Sequence, residues 1–300
     1  METSTTPSSG DSRHAEAAYE AIAPVYDDFT AHHNYRLWIT TLLELGAAHG
    51  LQGDTVLDVA CGTGKSFIPM LEHGWKVTAC DISASMVEMA RAKAGPEVRL
   101  DVADMRKLPV YGSFDLVCCL DDAVNYLHTQ AELEQTLRGL VANMAPHALC
   151  IFDSNTITQF RGFFAEQFEM EMNGRRMIWE GHVDDSFAPG DIAEASFSFE
   201  AIESGAGPTV PPELHRQRHH PEAEVRAAID GAGLELIATY GHHHDGVPHQ
   251  PMSEEDHTKA IYIARLAKRG GEEGDPSLTN CGEVRSGSRS SPSIPRRPRS

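Results

Sequence analysis

Between Thr55 and Asp153 the chain repeats one rhythm, a strand-length run of apolar or β-branched residues followed by a segment with helical spacing. The runs are TVLDV (Thr55 to Val59), KVTAC (Lys76 to Cys80), VRLDV (Val98 to Val102), FDLVCCL (Phe114 to Leu120) and ALCIFD (Ala148 to Asp153). Between them lie SMVEMARAKA (Ser85 to Ala94) and AELEQTLRGLVANM (Ala131 to Met144), with apolar residues at helical intervals. Strands apolar on both sides need cover on both faces, and strands joined through helices run parallel. The rhythm predicts a doubly wound, Rossmann-like α/β fold.

After Asp153 the pattern changes. FEMEMNG (Phe168 to Gly174), RMIWEGHV (Arg176 to Val183) and ASFSFEAI (Ala195 to Ile202) alternate polar with apolar or aromatic residues. They predict an inserted antiparallel β cap over about residues 163–218. PEAEVRAAIDGAG (Pro221 to Gly233) then reads as a helix, and LELIATY (Leu234 to Tyr240) and KAIYIARL (Lys259 to Leu266) as strands that complete the sheet. The folded domain is expected over residues 14–267, with polar, disordered tails at 1–13 and 268–300.

The 300 residues carry a formal charge of −19. From Lys268 onward there are seven Lys or Arg against four Asp or Glu, which leaves about −22 on the residues before it. A body that acidic repels phosphate backbones, so nucleic acid is not an expected partner. No apolar run reaches membrane-spanning length and no signal segment follows Met1. Membrane attachment is therefore not expected, and the cytoplasm is the expected location. Five of the six cysteines lie in or beside apolar runs and none forms a C-x-x-C pair, so neither a disulfide framework nor a zinc site is expected. His242, His243 and His244 are consecutive, and consecutive residues of an extended segment alternate faces, so they do not predict a metal site.

In an open α/β sheet the ligand lies beyond the carboxyl ends of the strands. The first such turn, LDVACGTGKS (Leu57 to Ser66), ends like a phosphate-binding loop, but Val59 stands where that loop needs its first glycine. Phe67 stands where a dinucleotide fingerprint needs its third. What remains is a glycine pair that lets a ligand lie against the backbone, preceded by Asp58, whose carboxylate would attract an ammonium or sulfonium cation. Asp81 closes the second strand nineteen residues after Gly62, near the spacing at which a carboxylate receives ribose hydroxyls. A helix N-cap is the other reading of Asp81. Asp104 and Met105 follow the third strand, where a carboxylate can accept from an adenine amino group and a thioether can pack on the purine.

The series D-V-A-C-G-T-G, the Asp closing strand two, A-D-M, and CLDDAVNYL (Cys119 to Leu127) resembles the class I S-adenosylmethionine-dependent methyltransferases, over about residues 15–267. Upstream, Y-x-x-I-A-P-x-Y-D (Tyr19 to Asp27) resembles the lid entrance of members that act on small molecules. The spacing is similar to that of the glycine N-methyltransferase group. Arg36, Ala60 and Asp81 fall where that group has its carboxylate-clamping arginine, its motif backbone and its ribose carboxylate.

The resemblance implies a seven-stranded, mostly parallel sheet whose last strand is antiparallel, and S-adenosylmethionine as cofactor. In its terms Arg36 clamps the methionyl carboxylate, Ala60 and Gly62 present backbone to the methionyl part, and Asp81 holds the ribose. Asp104 and Met105 bracket adenine, Leu120 faces the sulfonium region, and Tyr26 adjoins the cofactor. The expected acceptor is a small molecule bearing a nitrogen or oxygen nucleophile, with Tyr26 and Asn125 as orienting groups and His220 as a general base. Phe160, Phe163, Phe164, Phe168, Met170, Met172 and Trp179 of the cap would supply an apolar lid. Two other readings stay open: a P-loop-like ATP-dependent enzyme using Lys65, and a cofactor-binding module without turnover. Oligomeric state is not indicated.

Overall fold

The apolar runs become strands because their side chains are covered on both sides. In the computed structural model, which describes residues 11–202, 209–243 and 247–268, β1 (Thr55–Val59), β2 (Lys76–Asp81), β3 (Arg99–Val102), β4 (Phe114–Cys119) and β5 (Met144–Asn155) pair in parallel. Val56, Leu116, Cys118, Leu149 and Ile151 point to one face, under α2 (Tyr35–Ala48), α3 (Phe67–Glu72) and α4 (Ala84–Ala94). Leu57, Val117, Cys119, Cys150 and Phe152 point to the other, under α5 (Gln130–Val141). The 2-residue side-chain period of a strand thus serves two cores at once, which is why the runs are continuous rather than alternating.

Ahead of this sheet runs α1 (Asp11–Phe29), with Pro24 inside it. Residues 11–13, expected in a disordered tail, belong to this helix, while residues 1–10 lie outside the described ones. Beyond β5 the chain passes through α6 (Ile157–Arg161) into β6 (Gln167–Met172), β7 (Arg175–Gly181), β8 (Ile192–Ala201) and β9 (Val210–Arg218). These four form a separate antiparallel sheet in sequence order, the cap. Then α7 (Glu222–Gly231) leads to β10 (Leu234–His242), β11 (Pro248–His249) and β12 (Lys259–Leu266).

The large sheet has the order β11-β10-β12-β5-β4-β1-β2-β3, with β12 antiparallel to both its neighbours. Seven of these strands match the expected topology. The eighth, β11, is two residues at the edge, too short to leave a period in the sequence. Strand order reverses on passing from β1 to β4, which sets a ligand crevice beyond their carboxyl ends. The cap packs its inner face, including Trp179, Phe197 and Phe199, onto Ile22, Ala23 and Val25 of α1. By compactness residues 1–267 form one unit and residues 268–300 a second, of which only Lys268 is described.

Candidate functional site

The carboxyl ends of β1, β2, β3 and β4, with α1 above them, enclose a cleft of about 810 Å³ including its mouth. Its floor is made by Ala60, Gly62, Asp81, Asp104, Met105 and Leu120, and Tyr26 hangs over it from α1. Seven of the eight residues expected around the cofactor are therefore brought together. The backbone explains the first turn. Ala60 and Gly62 have φ of 60° and 52°, and a Cβ built on Gly62 would meet only the Tyr26 ring, at 3.8 Å. The bare side of Gly62 thus faces open cleft. Gly64 serves packing instead, since a Cβ there would lie 2.7 Å from the Phe67 ring.

Asp81 is buried at the end of β2, where Gly62 N donates to one carboxylate oxygen at 2.8 Å and Ser83 N to the other at 2.9 Å. The carboxylate also lines the cleft, as an acceptor of the kind a ribose diol requires. Burial raises its pKa, and backbone N–H bonds from Ser83, Gly62 and Ile82 oppose that rise. Ser83, not Asp81, caps α4 by accepting from Met86 N. Asp104 takes the Arg106 backbone N–H at 3.0 Å and the Arg106 Nε–H at 2.8 Å on one oxygen.

Arg36 is the exception. It lies on the outer side of α2, its side chain 70% exposed, in a forked ion pair with Glu72 of α3. It does not line the cleft, so a clamp on the methionyl carboxylate is corrected to a surface pair between two helices. Lys65, the residue that suggested a phosphate loop, lines the cleft wall but turns its ammonium to the end of α1. It donates to Thr30 O at 3.0 Å, Thr30 Oγ1 at 2.8 Å and Asp27 O at 3.3 Å. Lysine has three donors and all three are engaged. Thr63 Oγ1, which donates to Asp27 at 2.5 Å, and Lys93, paired with the same carboxylate, fasten the same helix end.

Asp58 also departs from expectation. It is buried under the turn rather than facing the cleft, accepting from Ser66 Oγ and from Cys118 Sγ at 3.4 Å. Burial raises its pKa to about 7, against the pull of those two donors. It holds the turn together and does not line the cleft.

Of the expected catalytic groups only Tyr26 reaches the cleft. Asn125 is fully buried, donating to Arg218 O at 2.7 Å and accepting from Asn155 N at 2.9 Å. His220 is buried too, with Nδ1 against the Arg218 guanidinium at 2.9 Å and Nε2 against Val124 O at 3.2 Å. Both are corrected to staples that hold the strand-four turn to the cap return. Burial and the neighbouring Arg218 push His220 down to about 4, so its imidazole stays neutral. None of the seven cap residues expected as an apolar lid lines the cleft. Phe160, Phe164 and Trp179 are cap core, and Met170 is 45% exposed.

The cleft also contains Tyr126 and Asp121 of the strand-four segment and Tyr19 of the entrance motif, all within stretches the sequence had singled out, together with Tyr35, which it had not. Tyr19, Tyr35 and Tyr126 join Tyr26 in its wall, and Asp121 stands at the end of β4. Tyr126 is hydrogen-bonded to Tyr19, and its hydroxyl meets His215 Nδ1 at 2.9 Å. Burial raises the pKa of all four phenols, Tyr126 to about 12, so they remain protonated near neutrality. Asp121 had one available signal, a carboxylate at the carboxyl end of a central strand next to the switch point. Tyr35 had none, since nothing local marks the first residue of α2 as facing a crevice.

Residues 56–147 match the family model described as a methyltransferase domain. A putative methyltransferase, YqeM of Bacillus subtilis, is 28% identical over 73% of this chain and 87% of its own length. The chain is a class I S-adenosylmethionine-dependent methyltransferase. Another relative of this methyltransferase, a cypemycin N-terminal methyltransferase from a Streptomyces species, is 28% identical over 77% of the chain and 95% of its own length. In fold, the methyltransferase matches a solved S-adenosylmethionine-dependent methyltransferase from Clostridium acetobutylicum with a TM-score of 0.70 and 22% identity, covering 83% of this chain and 99% of that one. The closer likeness in spacing to the glycine N-methyltransferase group is not sustained at Arg36. Among the described residues no helix is long and apolar enough to cross a membrane.

Proposed function

We propose that this methyltransferase methylates an amino nitrogen of a small polar molecule that enters beneath α1 beside the strand-four turn. The observation that carries the reading is the sequence of groups along the crevice: Met105 and Asp104 beyond β3, Asp81 beyond β2, bare Gly62 beyond β1, then protonated phenols and Asp121 near β4. In this reading Met105 packs on adenine and the free oxygen of Asp104 accepts from its amino group. The Asp81 carboxylate accepts from ribose hydroxyls, and Ala60 and Gly62 offer backbone to the methionyl part. S-adenosylmethionine, when bound, supplies an electrophilic methyl group on a sulfonium sulfur.

Among the described residues that line the cleft none is a histidine, which favours an acceptor that needs no imidazole base. An alcohol needs a base to become a nucleophile, whereas a neutral amine needs only an oriented lone pair. The hydroxyls of Tyr19, Tyr26 and Tyr126 can orient an amine by accepting its N–H. Names of relatives support nitrogen as the target. A dTDP-3-amino-3,6-dideoxy-α-D-glucopyranose N,N-dimethyltransferase from Streptomyces fradiae is 28% identical over 40% of the chain and 47% of its own length. The test is incubation with isotope-labelled S-adenosylmethionine and fractionated small-molecule extracts, reading which compounds gain one labelled methyl group by mass spectrometry. Label on a primary or secondary amine supports the proposal. Label confined to hydroxyl or carboxyl oxygens, or to none of the compounds, rejects it.

A further inference from the structure

Asp121 is held in place with unusual thoroughness. Asp121 and Asp122 both have left-handed backbone, with φ of 58° and 52°, a conformation non-glycine residues keep only when the surroundings impose it. The surroundings do so from three directions. Asp122 N donates to Asp153 of β5 at 2.9 Å, Lys259 of β12 donates to Asp122 at 2.7 Å, and Gln217 of β9 donates to its other oxygen at 2.7 Å. The effect is to turn the next carboxylate, that of Asp121, into the cleft, where the Tyr35 hydroxyl donates to it. Among the described residues no lysine, arginine or histidine forms an ion pair with Asp121. The nearby Lys65 has its donors committed to α1.

Strand order fixes what such a charge would meet. With the adenosine end over β3 and β2, the rest of the cofactor extends across β1 toward β4, the next strand in the sheet. Neighbouring strands are only about 4.8 Å apart, so the methionyl end falls within reach of the β4 turn. We propose that Asp121 is the residue by which the cleft distinguishes the methyl donor from its demethylated product. The inference rests on the cofactor reading above. S-adenosylmethionine and S-adenosylhomocysteine share the adenosine, the ammonium and the carboxylate. They differ in one methyl group and the positive charge on sulfur. A fixed carboxylate in a low-dielectric crevice favours the cation, and the preference lapses once the methyl group has left. Turnover thereby weakens the enzyme's hold on its own product.

The experiment is calorimetric titration of the full chain and of Asp121→Asn with each compound, without an acceptor. Asparagine keeps the shape, still accepts from Tyr35 and tolerates left-handed backbone. The expected result is about tenfold weaker binding of S-adenosylmethionine with less than about twofold change for S-adenosylhomocysteine. Asp121→Glu gives a second reading, since it keeps the charge and should keep most of the preference for the cation, and thermal unfolding of both variants shows that they are folded. Equal weakening of both compounds by Asp121→Asn in a folded variant, or loss of the preference in Asp121→Glu equal to that in Asp121→Asn, overturns the role of Asp121 and leaves the cofactor site standing. Failure of the unaltered protein to bind either compound overturns both.

Discussion

The turns that floor the cleft and the contacts that bind the cap to it are both networks of buried polar groups, but they close over different lengths of chain. At the floor, Asp81 bonds residues 2 and 19 positions away, Asp104 bonds one 2 away, and Asp58 bonds Ser66 at 8, with a weaker thiol contact from Cys118 at 60. At the cap, Asn125 reaches Arg218 across 93 positions, Tyr126 reaches His215 across 89, and His220 reaches Val124 across 96. A turn whose bonds are local is specified by a short motif. A junction whose bonds are remote is specified only by the fold, and it forms after the elements have assembled. The two regions also bury titratable groups of opposite kind, an acid beneath the floor and imidazoles at the cap, so pH should separate them.

The largest separation is expected at Asp58. Its folded pKa, about 7, lies above the unfolded value of a carboxyl near 3.9. The neutral acid is therefore favoured in the fold, and its contribution is complete below about pH 4 and lost as pH rises to 7. Asp58→Asn removes this dependence while keeping an acceptor for Ser66. The stability difference between variant and parent should shift by about 4 kcal/mol in the variant's favour between pH 4 and pH 8. Denaturant unfolding at both pH values measures it, and a constant difference would show that the carboxyl is hydrated in the native state.

His215 should behave in the reverse sense and slightly more weakly. Burial lowers its folded pKa to about 4, against an unfolded value near 6.5. The neutral imidazole is favoured, so its contribution is present above pH 6.5 and lost as pH falls through 4. His215→Asn should make the chain less sensitive to acid by about 3 kcal/mol over that interval, again read by denaturant unfolding. If His215→Asn instead steepened the acid loss, the imidazole would be gaining a proton on folding and the neutral Tyr126–His215 contact would be misassigned.

The same difference in range explains what could be read before the fold was known. The central strands were legible because cover on both faces leaves unbroken apolar runs, and the floor because Gly62, Asp81, Asp104 and Met105 each follow one of those runs directly. The fourth cap strand, VPPELHRQR, was not, since two prolines and four charged or imidazole side chains hide its alternation. Asn125 and His220 were misread for the same reason. Their residue types suit catalysis, and only the folded chain shows that their polar atoms are already spent on the backbone of Arg218, Asn155 and Val124 and on the Arg218 guanidinium. Lys259 was read simply as the first residue of a strand. Its neighbours in space, Asp122 and Asp153, come from two other segments, and their carboxylates hold it charged despite its burial.

Within the floor, Asp81→Ala should weaken S-adenosylmethionine binding by about 1 to 3 kcal/mol, the range for unpairing hydrogen bonds to a charged group. The substitution also frees the N–H groups of Gly62 and Ser83, so its thermal stability should be measured alongside. His215→Asn, remote from the strand-two turn, should leave the same dissociation constant within about twofold. A cap substitution that weakened the cofactor as much as Asp81→Ala would mean that the two networks are one cooperative unit.

The smallest expected effect is also the one on which geometry and family spacing disagree. Arg36 and Glu72 form an exposed pair, with side chains 70% and 43% accessible, and such pairs contribute about 0 to 1 kcal/mol. Arg36→Ala should therefore change stability by less than about 0.5 kcal/mol and leave cofactor affinity unaltered. The spacing that likens this chain to glycine N-methyltransferases assigns the same residue to the cofactor's carboxylate, for which a loss of tenfold or more in affinity would be expected. For Arg36 to make that contact it would have to leave Glu72 and pass the buried inner face of α2, where Trp38, Ile39 and Leu42 pack on the sheet. Calorimetry on Arg36→Ala thus decides whether α2 keeps this orientation when the cleft is filled. A large loss would place the helix rotation, and not the surface pair, in the working enzyme.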